Sequence, residues 1–163
     1  MVETLKDTKD YKFMKEKAKL LELSEREVYI LASIVERETL QDDEKPRMAG
    51  VYYNRLRQDW KLEADPTVKF AIGDFGLRRI LNRHLEFDSP FNTYKYQGLP
   101  PGPISMASIA SIDAVLNLEK HNYMFFCSKG DGTGYHSFAR TLAQHNRNAA
   151  IYRENMRRSG AWN

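Results

Sequence analysis

The chain has 163 residues, 42% of them hydrophobic and 29% charged, a size and composition that fit one domain with a real core and exclude wholesale disorder. Its 25 Lys and Arg are scattered among 22 Asp and Glu, for a net charge of +3, so long charged tails are excluded and a mixed surface with a mild bias toward anionic partners is expected.

In chain order, Phe13, Met14, Lys17, Ala18, Leu20 and Leu21 recur at helical spacing and predict an amphipathic helix over residues 10–23. Ser24 followed by Glu27 is a capping box, in which each side chain meets the other residue's free backbone N–H. It opens a second helix running to about residue 40. Pro46, favourable in a first helical turn, begins a third helix through Val51, Tyr52 and Leu56. The Asp65-Pro66 step is expected to keep Asp65 out of the helical region, with a short helix following through Val68 to Ile72. The basic segment LRRILNRHL also reads as helical.

Residues 88–104, DSPFNTYKYQGLPPGPI, hold four of the six prolines together with Phe91, Tyr94 and Tyr96. The prolines forbid regular structure and the aromatics argue against a disordered linker, which leaves a rigid loop of the kind on which sites are built. Ile109, Ile112, Val115 and Leu116 predict a core helix. After it, YMFFCS and YHSFAR flank the Gly-rich turn KGDGTG as a β-hairpin; no Gly-Lys-Ser/Thr follows, so the turn is not a phosphate cradle. Thr141 and Gln144 suggest a second capping box, opening a last helix with Leu142, His145, Ala149, Tyr152 and Met156 on one stripe. The fold class is therefore α+β: a mainly helical single domain over residues 1–163 with a small β-hairpin.

Few residues point to chemistry. Cys127, the only cysteine, lies in an apolar strand and reads as a buried structural thiol. His136 and His145 are nine residues apart without metal-ligand spacing, so no metal or cofactor is expected, and His145 on an apolar stripe reads first as a hydrogen-bonded core histidine. Zinc-finger spacing and RNP-like aromatics are lacking, and no nucleic-acid partner is expected. No apolar run is long enough to span a bilayer, and MVETLKDTKD has no signal-peptide core, so the chain as given is expected to be soluble.

The exception is SIVERETLQDD, which sets Glu36 and Glu38 in the second helix. On a helical wheel Val28, Leu31 and Val35 lie within about 60° of one another and define the buried face. Glu38 falls on that face, while Glu36 lies at the edge of the stripe near Ala32 and Tyr29. A carboxylate facing the core loses hydration and tends to keep its proton near neutrality, which is what a general acid needs. The alternative is that Glu38 bends out to water or pairs with Arg47 or Arg55.

ASIVERET, EADPTV, SPFNTYKYQGLPPGPI and GDGTGYHSFARTLAQHN, in this order and approximate spacing, resemble the YceG-like family of endolytic murein transglycosylases over residues 25–152. The resemblance implies cleavage of peptidoglycan glycan strands between N-acetylmuramic acid and N-acetylglucosamine without water as the attacking group, on a catalytic helix like that of lytic transglycosylases. It implies a catalytic glutamate in the first block; RET resembles the Glu-Ser or Glu-Thr pairing at the helix end of other lytic transglycosylases, which favours Glu38. Glu36, Asp65, Thr67, Asn92, Thr93, Tyr94, His136, His145 and Asn146 carry over as substrate-cleft residues, although Asp65 reads equally as a helix cap and GLPPGPI as scaffolding. The resemblance further implies a parent protein in a bacterial inner membrane, this domain facing the envelope, associated with the cell-wall synthesis machinery. The membrane helix and LysM-like domain that usually precede this region are not in the chain. Two rival readings are a hydrolase with Glu36 or Asp65 as base and a non-catalytic glycan-binding module.

Overall fold

The computed structural model describes residues 9–161. Among them, the order is α1 (Lys9–Leu20), α2 (Glu25–Glu38), α3 (Lys45–Arg57), α4 (Asp65–Ile72), α5 (Asn82–Leu85), α6 (Ile109–Leu116), β1 (Phe125–Ser128), β2 (His136–Ala139) and α7 (Leu142–Arg158). The α+β expectation holds: the strands pair antiparallel in one two-stranded sheet, with Phe126 opposite Phe138 and Ser128 opposite His136.

α2 is the central element. The Ser24–Glu27 capping box starts it as predicted, and α1, α3, α4 and α6 pack around it. Its residues from Ile30 to Val35 are all buried, and Leu31, Ile34 and Val35 join Met48 and Tyr52 of α3 and Val115 of α6 in the core. Ser33 is the polar residue in this run. Its hydroxyl donates to the Ile30 carbonyl (2.6 Å) and accepts the Ile104 N–H (3.1 Å), which fastens the end of the Pro-rich loop to α2. That loop is irregular, as expected.

Several expectations are corrected. α1 stops at Leu20: Glu22 takes a left-handed φ of 57°, and the Leu23 N–H returns to the Ala18 carbonyl (3.0 Å), a Schellman-type close. Phe13 and Leu20, placed on the buried stripe, are exposed. α2 ends at Glu38 because Thr39 is extended and buried. Asp65 is helical, as the first residue of α4; Ala64 is the extended cap instead, and Pro66 sits in the first turn, where no backbone N–H is needed. LRRILNRHL shortens to the four residues of α5: its arginines leave little apolar surface for a longer helix to bury, and Leu81 is exposed. Ile109 is exposed at the start of α6, and Leu142 at the start of α7. Only half of the second capping box forms, the Gln144 N–H donating to Thr141 Oγ1 (3.2 Å).

Candidate active site

Glu38 closes α2 on the face it shares with Leu31 and Val35, and it is half-buried. Its Oε1 accepts the Tyr52 hydroxyl at 2.5 Å. Tyr52 is itself fully buried, edge-on to Phe126 of β1, which meets His136 of β2 edge-on in turn. Exclusion of water by these neighbours pushes the Glu38 carboxyl up to about 7. The Tyr52 bond opposes this, the charge of Asp65 adds to it, and His136 and Lys69 oppose it. Neither arginine offered as a partner is one: Arg47 forks onto Glu119 (2.7 and 3.1 Å), and Arg55 donates to the carbonyls of Met124 (2.9 Å) and Leu62 (2.6 Å). Glu38 keeps its proton near neutrality because the Tyr52 hydroxyl and the more weakly acting Lys69 and His136 do not make up for its burial and the charge of Asp65.

Asp65, whose charge reaches Glu38, is exposed and accepts the Tyr94 hydroxyl at 2.5 Å. Burial and then the Asp65 charge hold that phenol far above its ordinary range, so Tyr94 stays a donor. Lys69 lies one helical turn beyond Asp65. The other residues predicted to touch sugar in this region have no surface to offer one. Asn92 and Thr67 are 0% exposed and Thr93 1%. Thr67 and Thr93 share a hydrogen bond (2.8 Å), Thr93 Oγ1 accepts the Ala64 N–H (2.9 Å), and Thr67 donates to the Ala64 carbonyl (2.7 Å), so together they hold the cap of α4. Asn92 donates to the carbonyls of Leu85 (2.9 Å) and Phe87 (2.8 Å) and accepts the Tyr94 N–H (3.0 Å). They position Asp65 and Tyr94 from behind.

Glu36 is turned elsewhere, as the wheel predicts. Its Oε2 accepts the Ser108 N–H (3.1 Å), the Ser108 hydroxyl (2.6 Å) and the Ser111 hydroxyl, with Lys45 Nζ at 3.6 Å. Burial would raise this carboxyl, but the serines and Lys45 outweigh it and hold it at about 2. Glu36 therefore pins the start of α6 and bonds to none of the groups that act on Glu38.

The two histidines part company at the hairpin. Successive strand residues face opposite sides. His136 lies on the Phe126 side, toward Tyr52 and Glu38, with its Nδ1 2.8 Å from Glu44 Oε2. His145 stacks on Phe125 (5.2 Å between centroids, 23° between planes), so the structure does not bring it to Glu38. Its Nδ1 is buried without a hydrogen-bond partner, contrary to the expected bonded core histidine, and burial with Arg55 nearby lowers its pKa. Asn146 is exposed on α7. Burial likewise raises the Cys127 thiol, in keeping with a structural role. The sequence reading missed Tyr52, Glu44 and Lys69. Lys69 was within reach, four residues after Asp65; for Tyr52 and Glu44 no local pattern announces a partner supplied by another element.

A family model described as the YceG-like family matches residues 1–151. The chain is 38% identical over 144 residues to an endolytic murein transglycosylase of Bacillus subtilis (strain 168), covering 88% of this chain and 39% of that protein. It is 32% identical over 133 residues to an endolytic murein transglycosylase of Streptococcus pneumoniae (serotype 2), covering 78% and 24% respectively. The chain thus spans well under half the length of these relatives. A 2.6 Å crystal structure of a YceG-like protein from Listeria monocytogenes superposes with a TM-score of 0.76 at 36% identity, over 85% of this chain and 44% of that one.

Proposed function

The chain belongs to the YceG-like family, and from that membership and the Glu38 cleft we propose that it is the catalytic domain of an endolytic lytic transglycosylase acting on peptidoglycan glycan strands. The observation that carries the proposal is a glutamate held at about 7 by burial, with a tyrosine hydroxyl at 2.5 Å, in the block that resembles the family's catalytic motif. Protonated Glu38 gives its proton to the glycosidic oxygen as the bond from C1 of N-acetylmuramic acid breaks through an oxocarbenium-like transition state. The resulting carboxylate takes the proton of the same sugar's C6 hydroxyl, whose oxygen closes on C1. The products are a 1,6-anhydro-muramoyl end and a free N-acetylglucosamine hydroxyl; the glutamate is again protonated and no water is consumed. Asp65, Tyr94, Lys69 and His136 line the approach to Glu38, while Thr67, Asn92 and Thr93 hold Asp65 and Tyr94 from behind. On the same reading the domain works in the bacterial cell envelope, and the family resemblance supports a membrane-anchored parent working beside wall synthesis.

Asp65 in the same cleft also fits a hydrolase in which it activates water, and one experiment separates the two. Uncrosslinked glycan strands are digested in heavy-oxygen water and the new ends are read by mass spectrometry before and after borohydride. Transglycosylation gives unlabelled ends, lighter by one water and not reducible; label at new reducing ends would refute it. Binding without new ends would leave a glycan-binding module.

A further inference from the structure

We propose that Glu44 is a positioning residue of this cleft, its carboxylate fixing the His136 imidazole with hydrogen on Nδ1 so that Nε2 presents a lone pair to a substrate hydroxyl beside Glu38. The role of the hydroxyl rests on the transglycosylase reading above.

Glu44 caps α3 and is nearly buried, and its carboxylate gathers three donors. Oε1 accepts the His136 backbone N–H at 2.7 Å; Oε2 accepts His136 Nδ1 at 2.8 Å and the Thr39 hydroxyl at 3.0 Å. Burial works against its charge, but these bonds bring its pKa below the ordinary value, and an ionised carboxylate only accepts. Nδ1 must therefore donate. Nε2 meets no hydrogen-bonding group among the described residues, and His136 stands edge-on to Phe126, which packs edge-on against the Tyr52 that holds Glu38.

The second consequence is geometric. Thr39 follows Glu38 directly, so one carboxylate ties the end of the helix carrying the proton donor to the strand carrying His136. Neighbouring contacts reinforce the clamp: Gln41 donates to the Thr133 carbonyl (2.8 Å), and the Tyr135 hydroxyl donates to Asp43 (3.0 Å). Residues 41–44 thus grip residues 133–136 at three points, and the Nδ1 bond to Glu44 orients the ring of His136. A carboxylate that sets the tautomer of a histidine by taking its other N–H is a recurrent device for presenting the free nitrogen.

Glu44→Gln tests this with little change of shape. The amide has one accepting oxygen for three donors; with that oxygen kept on the His136 backbone N–H its NH2 faces Nδ1, which must then accept, so the ring proton moves to Nε2 and that nitrogen changes from acceptor to donor. In nitrogen-15 spectra of the substrate-free protein near neutral pH, wild-type His136 is expected as the Nδ1–H tautomer, shifting toward Nε2–H in Glu44→Gln. The kcat on glycan strands is expected to fall about 10- to 100-fold with KM changed by less than about threefold. His136→Asn keeps a donor where Nδ1 was and places nothing at Nε2; adding Glu44→Gln to it is expected to cost less than about threefold more.

An Nε2–H tautomer or a doubly protonated ring in the wild type overturns the proposal, as does a wild-type rate in Glu44→Gln. So does a full additional loss on the His136→Asn background, which would make Glu44 a structural clamp only. Should Glu44→Gln not fold, the wild-type spectrum decides. Absence of anhydro ends with wild-type enzyme would instead sink the transglycosylase reading, whereas anhydro ends with an unaffected Glu44→Gln would sink the clamp alone.

Discussion

Glu38→Gln should inactivate the protein and at the same time make it more stable above neutral pH. The carboxyl titrates near 4.5 when free and at about 7 in the fold, raised mainly by burial. Between those values the folded protein holds a proton that the unfolded chain has released, so stability falls as pH rises. The contribution is complete below 4.5 and gone once pH has passed about 7. The interval corresponds to at most about 3 kcal/mol at 1.36 kcal/mol per pH unit. The glutamine carries no charge at any pH and escapes this loss, though its NH2 needs a partner in a half-buried place, which returns about 1 kcal/mol. Relative to wild type, Glu38→Gln should therefore gain about 1–3 kcal/mol at pH 8, or about 3–10 °C in Tm for a chain of this size, with little gain at pH 4. Thermal melts of both proteins from pH 4 to 8 measure the difference, and borohydride-resistant ends measure activity. A difference in Tm that does not change with pH, or an active Glu38→Gln, would refute the assignment of Glu38 as a buried proton donor.

Tyr52→Phe removes the hydroxyl that opposes the rise of Glu38, so the alkaline limb of kcat should move to higher pH; a limb that stays or moves down counts against the bond. Asn92→Ala leaves the carbonyls of Leu85 and Phe87 and the Tyr94 N–H without their partner and should cost about 2–4 kcal/mol in chemical denaturation, whereas Tyr94→Phe should change stability by less than about 1 kcal/mol while lowering kcat about tenfold or more. Gly50→Ala puts a Cβ 2.5 Å from the Glu119 carbonyl and from His121 Nε2 and should destabilise by about 1–3 kcal/mol, read from the shift in denaturation midpoint.

The wheel of α2 could be read from sequence because it depends only on helical periodicity and on which residues are apolar. It placed Glu38 on the buried face and Glu36 beside Tyr29; in the structure Tyr29 and Glu36 both reach the start of α6, at Ala107 and Ser108. Residue type alone misled in the Pro-rich loop. Asn92 and Thr93, and Thr67 of the neighbouring α4, carry the groups that bind sugars, but the same groups satisfy backbone where loop and helix cap have no ladder to do so. The histidines show the other limit. His136 and His145 look alike in sequence, and only the alternation of Phe125 and Phe126 across the hairpin separates one that faces Glu38 from one stacked beneath the sheet.

Glu36, Glu38 and Glu44 lie within nine positions of one another, and for all three burial is the largest single influence and pushes the carboxyl up. Their fates differ by what answers it. Glu36 has three hydrogen bonds and Lys45 and is held at about 2; Glu44 has three donors and is lowered; Glu38 has one hydroxyl and, facing it, the charge of Asp65, and stands at about 7. Asp65 is thus part of what keeps the acid protonated, which makes Asp65→Asn the sharpest probe of the cleft. The Tyr94 hydroxyl can still donate to an asparagine oxygen, so the wall is preserved while the charge is lost. Of the groups facing Glu38, Tyr52 from α3 and Lys69 from α4 act downward, as does His136 from β2 when it is protonated, so without Asp65 the Glu38 pKa must fall. The alkaline limb of kcat should move to lower pH, with much of the activity kept on the acid side. If Asp65 were instead the base that activates water, Asp65→Asn would lose activity at every pH without moving the limb, and the newly formed ends of the wild-type reaction would carry oxygen from solvent.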